Sequence, residues 1–373
     1  MIKRAFDLGE YVQKGTVLVL YGARQVGKTT LVKSFLETTP LSYRFVFGDD
    51  VRAQAALGTP DLAVLREYVA GYELLVIDEA QKIPRIGDSL KLLVDALPDL
   101  RVIVTGSASF ELAGQIGEPL TGRKRTLTLY PLSLMETGSA QNAQELSEYA
   151  ETAMRFGGYP RAVVAESIAD KRTVLEEVTG SYLLKDILEL DRVKNPKTLL
   201  DLLRLVAFQI GNEVSLSELG ARAGIDYKTV ARYLDLLEKT FVLYSLRGFS
   251  RNLRSEIGRK SKYYFYDTGV RNAIIENFAP LSERDDVGAL WENFLVIERL
   301  KKRAYAGIPA NAYFWRTWEG HEVDLVEERD GVLHGYEFKW SSRAAKEPRA
   351  WRVAYPTATY EVIDKTHFAD FVR

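Results

Sequence analysis

Gly22-Ala23-Arg24-Gln25-Val26-Gly27-Lys28-Thr29 is the stretch that decides the fold. It fits Gly-x-x-x-x-Gly-Lys-(Ser/Thr), a loop that cradles phosphate. Before it, Thr16-Val17-Leu18-Val19-Leu20-Tyr21 is a nearly continuous apolar run, as expected of a strand buried on both faces. After it, Leu31, Val32, Phe35 and Leu36 recur at helical spacing, so the loop opens a helix. Glycines at 22 and 27 let the backbone curl until its N–H groups face phosphate oxygens, and the helix start adds partial positive charge. Lys28 can then reach the β- and γ-phosphates of ATP, and the Thr29 hydroxyl can ligate Mg²⁺, with Thr30 next in line.

Further along, Leu74-Leu75-Val76-Ile77 reads as a strand closing on Asp78-Glu79. Such a strand carries its acid to the carboxyl edge of a parallel sheet, beside the loop. Asp78 is expected to hold Mg²⁺ and Glu79 to polarise the attacking water. Ser42–Phe47, Arg101–Thr105 and Thr126–Leu129 read as further strands alternating with helices, which argues for an α/β fold with a parallel sheet. At the tip of the 101–105 strand, Thr105 and Ser107 suit a polar sensor of the γ-phosphate. Equally, Ser107-Ala108-Ser109 suits a cap on a helix beginning Phe110-Glu111-Leu112.

The 373 residues leave room for two or three domains. Fifty basic residues against 51 acidic ones give a net charge near −1, which says nothing about partners; local charge does. No stretch approaches the ~18 apolar residues of a membrane span. The absence of cysteine excludes disulfides and thiolate metal sites, and with no signal-like apolar core at Met1–Asp7 it fits a cytoplasmic protein.

Residues 143–156 and 161–211 read mostly as helices, with apolar faces at Leu183, Leu184, Ile187, Leu188 and Leu190 and again from Leu199 to Val206. Gly157-Gly158-Tyr159-Pro160 marks a sharp turn between helices, and Arg161 after it is a candidate phosphate contact or a surface residue. From Ser215 to Leu246 the pattern is helix-turn-helix: Ser217 as a cap, a turn at Ala223-Gly224-Ile225, then a helix from Asp226 with Val230, Leu234 and Leu237 inward. Tyr227, Lys228, Arg232 and Tyr233 are expected outward. Val242–Leu246 and Lys262–Tyr266 read as the strands of a wing. Arg247 to Lys262 holds six basic residues against one acidic. That footprint suits duplex DNA, while winged helices also serve as protein-docking modules.

A helix is expected over Asp285–Arg303, with Leu290, Phe294, Ile297 and Lys301 on one face and Glu292 beside them. Strands follow at Ala312–Arg316, Glu322–Val326 and Val332–Lys339, the last placing Glu337 and Lys339 on one side. His321 and His334 read as surface histidines, and Trp315, Trp318 and Trp340 as packing residues.

Taken together, several motifs resemble those of the prokaryotic AAA-type ATPases that carry a nuclease-like C-terminal domain. They are the phosphate loop, Val76-Ile77-Asp78-Glu79-Ala80-Gln81, Thr105-Gly106-Ser107, Leu120-Thr121-Gly122-Arg123, Tyr130-Pro131-Leu132-Ser133 and Gly157-Gly158-Tyr159-Pro160. The resemblance implies ATP binding and hydrolysis, with Arg123 as an arginine finger on its own or a neighbouring subunit's γ-phosphate; the alternative is a surface Arg in a basic cluster with Lys124 and Arg125. Near the end, a Glu on a helix, an Asp on a strand and Glu-x-Lys 13 residues later resemble the PD-(D/E)xK nuclease fold. It implies Mg²⁺ on Glu292, Asp324 and Glu337, with Lys339 positioning water; Val323 stands where the motif has Pro. The expected organisation is an ATPase core at 1–145, a helical lid at 146–212, a winged helix at 213–278 and a restriction-endonuclease-like α/β domain at 279–373. The expected function is ATP hydrolysis coupled to motion on DNA, with a homo-oligomer, ring-shaped or not, as the assembly. The alternative is a nucleotide-gated switch whose last domain is a catalytically silent platform.

Overall fold

A computed structural model describes residues 2–107, 119–137, 142–183, 195–250, 261–341 and 346–373. The suggested cap at Ser109, the apolar face from Leu184 to Leu190, and Arg251, Arg254, Arg259 and Lys260 of the basic span lie outside the described residues.

The first sheet has five parallel strands: β1 (Val17–Tyr21), β2 (Tyr43–Phe47), β3 (Leu74–Asp78), β4 (Arg101–Gly106) and β5 (Lys124–Thr128). Their order is β2-β3-β4-β1-β5. β5 starts two residues before the expected Thr126. Every β1 side chain is buried because the pleat serves two layers. Leu18 and Leu20 pack with Val32 and Leu36 of the Lys28–Leu36 helix, whereas Val17, Val19 and Tyr21 pack with Leu65, Leu90 and Leu93 on the other face. At roughly 1.5–3 kcal/mol per fully buried aliphatic side chain, this two-sided burial holds the strand that ends in the loop. β4 lies between β1 and β3, so the tips of all three converge on one edge.

The second sheet has seven strands: β6 (Glu213–Val214), β7 (Leu243–Gly248), β8 (Ser261–Phe265), β9 (Asn311–Arg316), β10 (Glu322–Arg329), β11 (Val332–Phe338) and β12 (Thr359–Ile363). Their order is β12-β11-β10-β9-β7-β8-β6. The β7–β8 hairpin is thus continuous with the C-terminal strands: Arg247 and Gly248 pair in parallel with Tyr313 and Phe314. The 20-residue helix Val287–Ala306 buries Leu290, Phe294, Ile297 and Lys301, the face expected for it. Its start lies two residues after the expected Asp285.

The pair of helices Leu216–Ala223 and Tyr227–Lys239 follows the expected pattern, with Gly224 in the left-handed region and Asp226 accepting from the Lys228 and Thr229 amides. Two details differ. The first helix is capped by Ser215, whose hydroxyl accepts from Glu218 N, rather than by Ser217. Tyr233 is buried instead of outward, because it shares the inward stripe with Val230 and Leu237. Among the described residues no helix is long and apolar enough to cross a membrane.

Candidate functional site

The loop after β1 folds as its residues dictate. Gly22 has φ 149°, and a Cβ there would lie 2.2 Å from the Leu129 carbonyl oxygen. Gly27 has φ 99°, a conformation L side chains rarely adopt. Val26 is wholly buried beneath the loop. Lys28, the first residue of the helix, is also buried, and its Nζ donates to the carbonyls of Gly22 at 2.8 Å and Ala23 at 2.9 Å. The ammonium is thereby folded back over the loop it belongs to.

Facing it, the Thr29 hydroxyl donates to Asp78 Oδ2 at 2.7 Å, and Thr105 donates to Asp78 Oδ1. One carboxylate is therefore held from two sides by residues of the helix start and of β4. The two hard oxygen donors Thr29 and Asp78 fit a Mg²⁺ ion that also takes phosphate oxygens. Glu79 stands in the left-handed region at φ 55°, a conformation costly for a residue of this kind. Its amide donates to Thr105 Oγ1 at 3.0 Å, and its carboxylate accepts from Gln81 Nε2. Gln81 also donates to Ser107 Oγ at 3.3 Å. Lys28, Thr29, Asp78, Glu79, Thr105 and Ser107 are all brought to one sheet edge.

Arg123 is placed elsewhere. Its carbonyl accepts from Val17 N at 2.9 Å, at the amino edge of the sheet, and its guanidinium pairs with Asp95. Across the five residues of β1 that is roughly 16 Å from the loop, at about 3.3 Å per residue, so it does not serve its own chain's phosphates. Arg161 pairs with Glu177 at 2.9 Å on the surface.

Sequence reasoning missed Arg4. Its Nη1 donates to Val26 O at 3.0 Å, and its Nη2 donates to Tyr130 O at 2.8 Å and to Tyr305 Oη at 3.2 Å. Its Nε lies 2.7 Å from Glu136 Oε1. One guanidinium thus joins the outer side of the loop to the Val287–Ala306 helix. No local motif marks it, since its partners lie up to 301 positions away.

A second cluster lies in the seven-stranded sheet. Asp324 and Glu337 sit on the adjacent strands β10 and β11, and Glu292 faces them from the Val287–Ala306 helix. Burial pushes the Asp324 carboxyl well up, and the Glu292 and Glu337 charges push it further. Burial also raises Glu337, against the opposing pull of Lys339. Glu292 Oε1 accepts from Lys262 Nζ at 3.0 Å and from Tyr264 Oη at 2.7 Å. Asp324 Oδ2 accepts from Phe338 N at 2.8 Å, and Glu337 Oε1 from Lys339 Nζ at 2.6 Å. Among the described residues no group of three or more His, Cys, Asp or Glu side chains is spaced to hold a metal ion. One oxygen of each of Glu292, Asp324 and Glu337 is already given to a lysine, tyrosine or amide donor, which does not fit the Mg²⁺ set implied for them. Lys262, expected in a basic wing, is 1% exposed and belongs to this cluster instead. A lysine inside the aromatic run Lys262-Tyr263-Tyr264-Phe265-Tyr266 was the available signal. Trp318, expected to pack, is fully exposed at the β9–β10 turn, while Trp315 packs against Trp351.

Residues 14–138 match a family described as AAA domain. Residues 147–281 and 287–366 match domains of unknown function, DUF8612 and DUF4143. An uncharacterized protein of Mycobacterium tuberculosis is 30% identical over 341 residues, covering 91% of this chain and 73% of its own. One of Haemophilus influenzae is 24% identical, over 99% and 90%. A solved signal-transduction ATPase with a tetratricopeptide repeat sensor from Pyrococcus horikoshii is 16% identical at a TM-score of 0.28. This chain spans 45% of that one, and at that score the likeness carries no argument. The identity to the mycobacterial protein and the AAA match, over a phosphate loop facing Asp78, lead to one conclusion: the chain belongs to the family of that protein and carries an AAA-type, phosphate-loop ATPase domain.

Proposed function

We propose that the chain binds ATP at Gly22–Thr30 (Gly22, Ala23, Arg24, Gln25, Val26, Gly27, Lys28, Thr29 and Thr30), hydrolyses it, and couples turnover to conformational change on DNA. The observation that carries the catalytic part is the bond between Thr29 and Asp78, which sets the loop against the acid of β3. Loop amides and Lys28 bind the phosphates; to do so Lys28 exchanges its Gly22 and Ala23 carbonyls for phosphate oxygens. Mg²⁺, held by Thr29 and Asp78, supplies charge neutralisation on those oxygens. Glu79 orients and deprotonates water, and its left-handed backbone, pinned by Thr105, is the strained conformation such sites tolerate. Gln81 holds the Glu79 carboxylate, and Ser107 with Thr105 senses the γ-phosphate. Arg123, at the opposite edge, acts on a neighbouring copy's nucleotide in a homo-oligomer. Lys228, Arg232 and Arg247 are exposed on the helix pair and its hairpin and suit duplex DNA.

The test is ATP turnover with and without duplex DNA. Lys28→Ala should abolish nucleotide binding. Glu79→Gln should keep binding and lower turnover about 10²- to 10⁴-fold, the usual share of a general base. Turnover at the parent rate in Glu79→Gln removes Glu79 from the role given to it.

For the C-terminal domain, metal-dependent DNA cleavage by Glu292, Asp324, Glu337 and Lys339 is the reading that the nuclease-like pattern suggests. The buried pairing of Lys262 with Glu292 favours the second reading: a nucleotide-gated switch with this domain as a silent docking platform.

A further inference from the structure

The carboxylates of β10 and the Val287–Ala306 helix already hold a cation. Lys262 projects from β8, is 1% exposed, and places Nζ 3.0 Å from Glu292 Oε1 while also pairing with Glu322. Tyr264, two residues on and so on the same face of β8, donates to that same Glu292 oxygen. The Phe314 ring closes the lysine's flank, its centroid 5.4 Å from Nζ. On the far side Lys339 Nζ bonds Glu337 Oε1 at 2.6 Å, and the Phe338 amide takes Asp324 Oδ2. Glu337 Oε2 is buried without a hydrogen-bond partner, but that oxygen by itself falls well short of the about six oxygen ligands a Mg²⁺ ion seeks.

We propose that Lys262 is the resident cation of this carboxylate cage, an internal ammonium standing where a nuclease-like domain would hold a divalent metal. The assignment rests on the silent-platform reading and gives it a physical cause. An incoming Mg²⁺ would have to expel the Lys262 ammonium from Glu292 and Glu322. Buried on every side, that charge would then be unpaired in a low-dielectric setting, which is strongly unfavourable. An ammonium also lacks open coordination positions, so it neither polarises a phosphodiester as a Lewis acid nor lowers the pKa of a bound water. The cage is thus a structural rivet between the hairpin and the last domain. Its chemistry requires β8 and β10 to stay together.

The experiment is a Mn²⁺ titration of the full chain, free of nucleotide, read by electron paramagnetic resonance. Any ion at Thr29 and Asp78 contributes equally to every chain compared. The wild type and Asp324→Asn should take up the same amount of Mn²⁺. Lys262→Met should gain one ion per chain, with affinity about tenfold or more above the wild type, and adding Asp324→Asn to it should abolish the gain. Two results overturn the proposal: tight Mn²⁺ uptake by the wild type that Asp324→Asn removes, or a folded Lys262→Met chain with no gain. Circular dichroism reports folding. Should Lys262→Met not fold, the wild-type and Asp324→Asn titrations still decide. ATP turnover, measured in parallel, stands or falls separately, since it depends on Lys28 and Glu79.

Discussion

Replacing Arg4 with alanine should loosen the phosphate loop from behind. The side chain is 8% exposed and faces a Glu136 carboxylate that is fully buried. The substitution removes the donors to Val26 O, Tyr130 O and Tyr305 Oη and leaves Glu136 without its cation. Breaking a buried pair from one side costs about 3–5 kcal/mol. Here the carboxylate keeps three donors: Ala5 N at 3.0 Å, Ser133 N at 2.8 Å and Ser133 Oγ at 3.0 Å. Those retained bonds bring the expected loss to about 2–3 kcal/mol. Urea denaturation followed by tryptophan fluorescence measures it. Affinity for a fluorescent ATP analogue should fall as well, because Val26 lies within the loop, and every ~1.4 kcal/mol passed to binding is tenfold. Tyr305→Phe removes the oxygen that accepts from both Arg4 Nη2 and Tyr130 N but leaves the Glu136 pair intact, and should cost about 1–2 kcal/mol, less than Arg4→Ala. A stability loss under ~1 kcal/mol in Arg4→Ala, with unchanged nucleotide affinity, refutes the idea that this guanidinium braces the loop.

Trp318→Ala should leave urea stability within about 0.5 kcal/mol, since the ring touches nothing it could pack against; a larger loss would mean that the turn is covered in solution. Burial would raise the Asp286 carboxyl, but the bonds from Arg284 and Arg271 outweigh burial and hold it at about 2. A carboxyl lowered on folding stabilises the protein above its unfolded pKa of about 3.9 and loses that contribution as pH falls through the folded value. The stability difference between wild type and Asp286→Asn should therefore be full at pH 6 and shrink between about pH 4 and 2; a pH-independent difference refutes the pairing.

The loop, its acid and its parallel sheet were legible because each rests on local pattern. An apolar strand, a glycine-lysine loop and a strand closing on Asp78 are contiguous signals, and alternation with helices implies a parallel sheet, though not its strand order. Trp318 and Lys262 were misjudged for the opposite reason. Whether a tryptophan packs or a lysine is solvated depends on what lies across the fold. Glu292 and Glu322 come to Lys262 from 30 and 60 positions away. Arg4 is an extreme instance, since its four partners come from the loop, the segment after β5 and the last helix of more than two turns. The Ser215 cap was within reach of local reasoning, because Glu218 stands three residues on in capping-box spacing.

The pairing of β7 with β9 has a mechanical consequence. With Arg247 and Gly248 laddered to Tyr313 and Phe314, and Phe249 N donating to Phe314 O at 2.6 Å, the helix pair ahead of β7 cannot swivel independently of the strands behind it. Both halves belong to one sheet. Under the proposed function, a shift at the nucleotide loop would reach these strands through Arg4 and the Val287–Ala306 helix, moving them together rather than flexing the sheet at its middle.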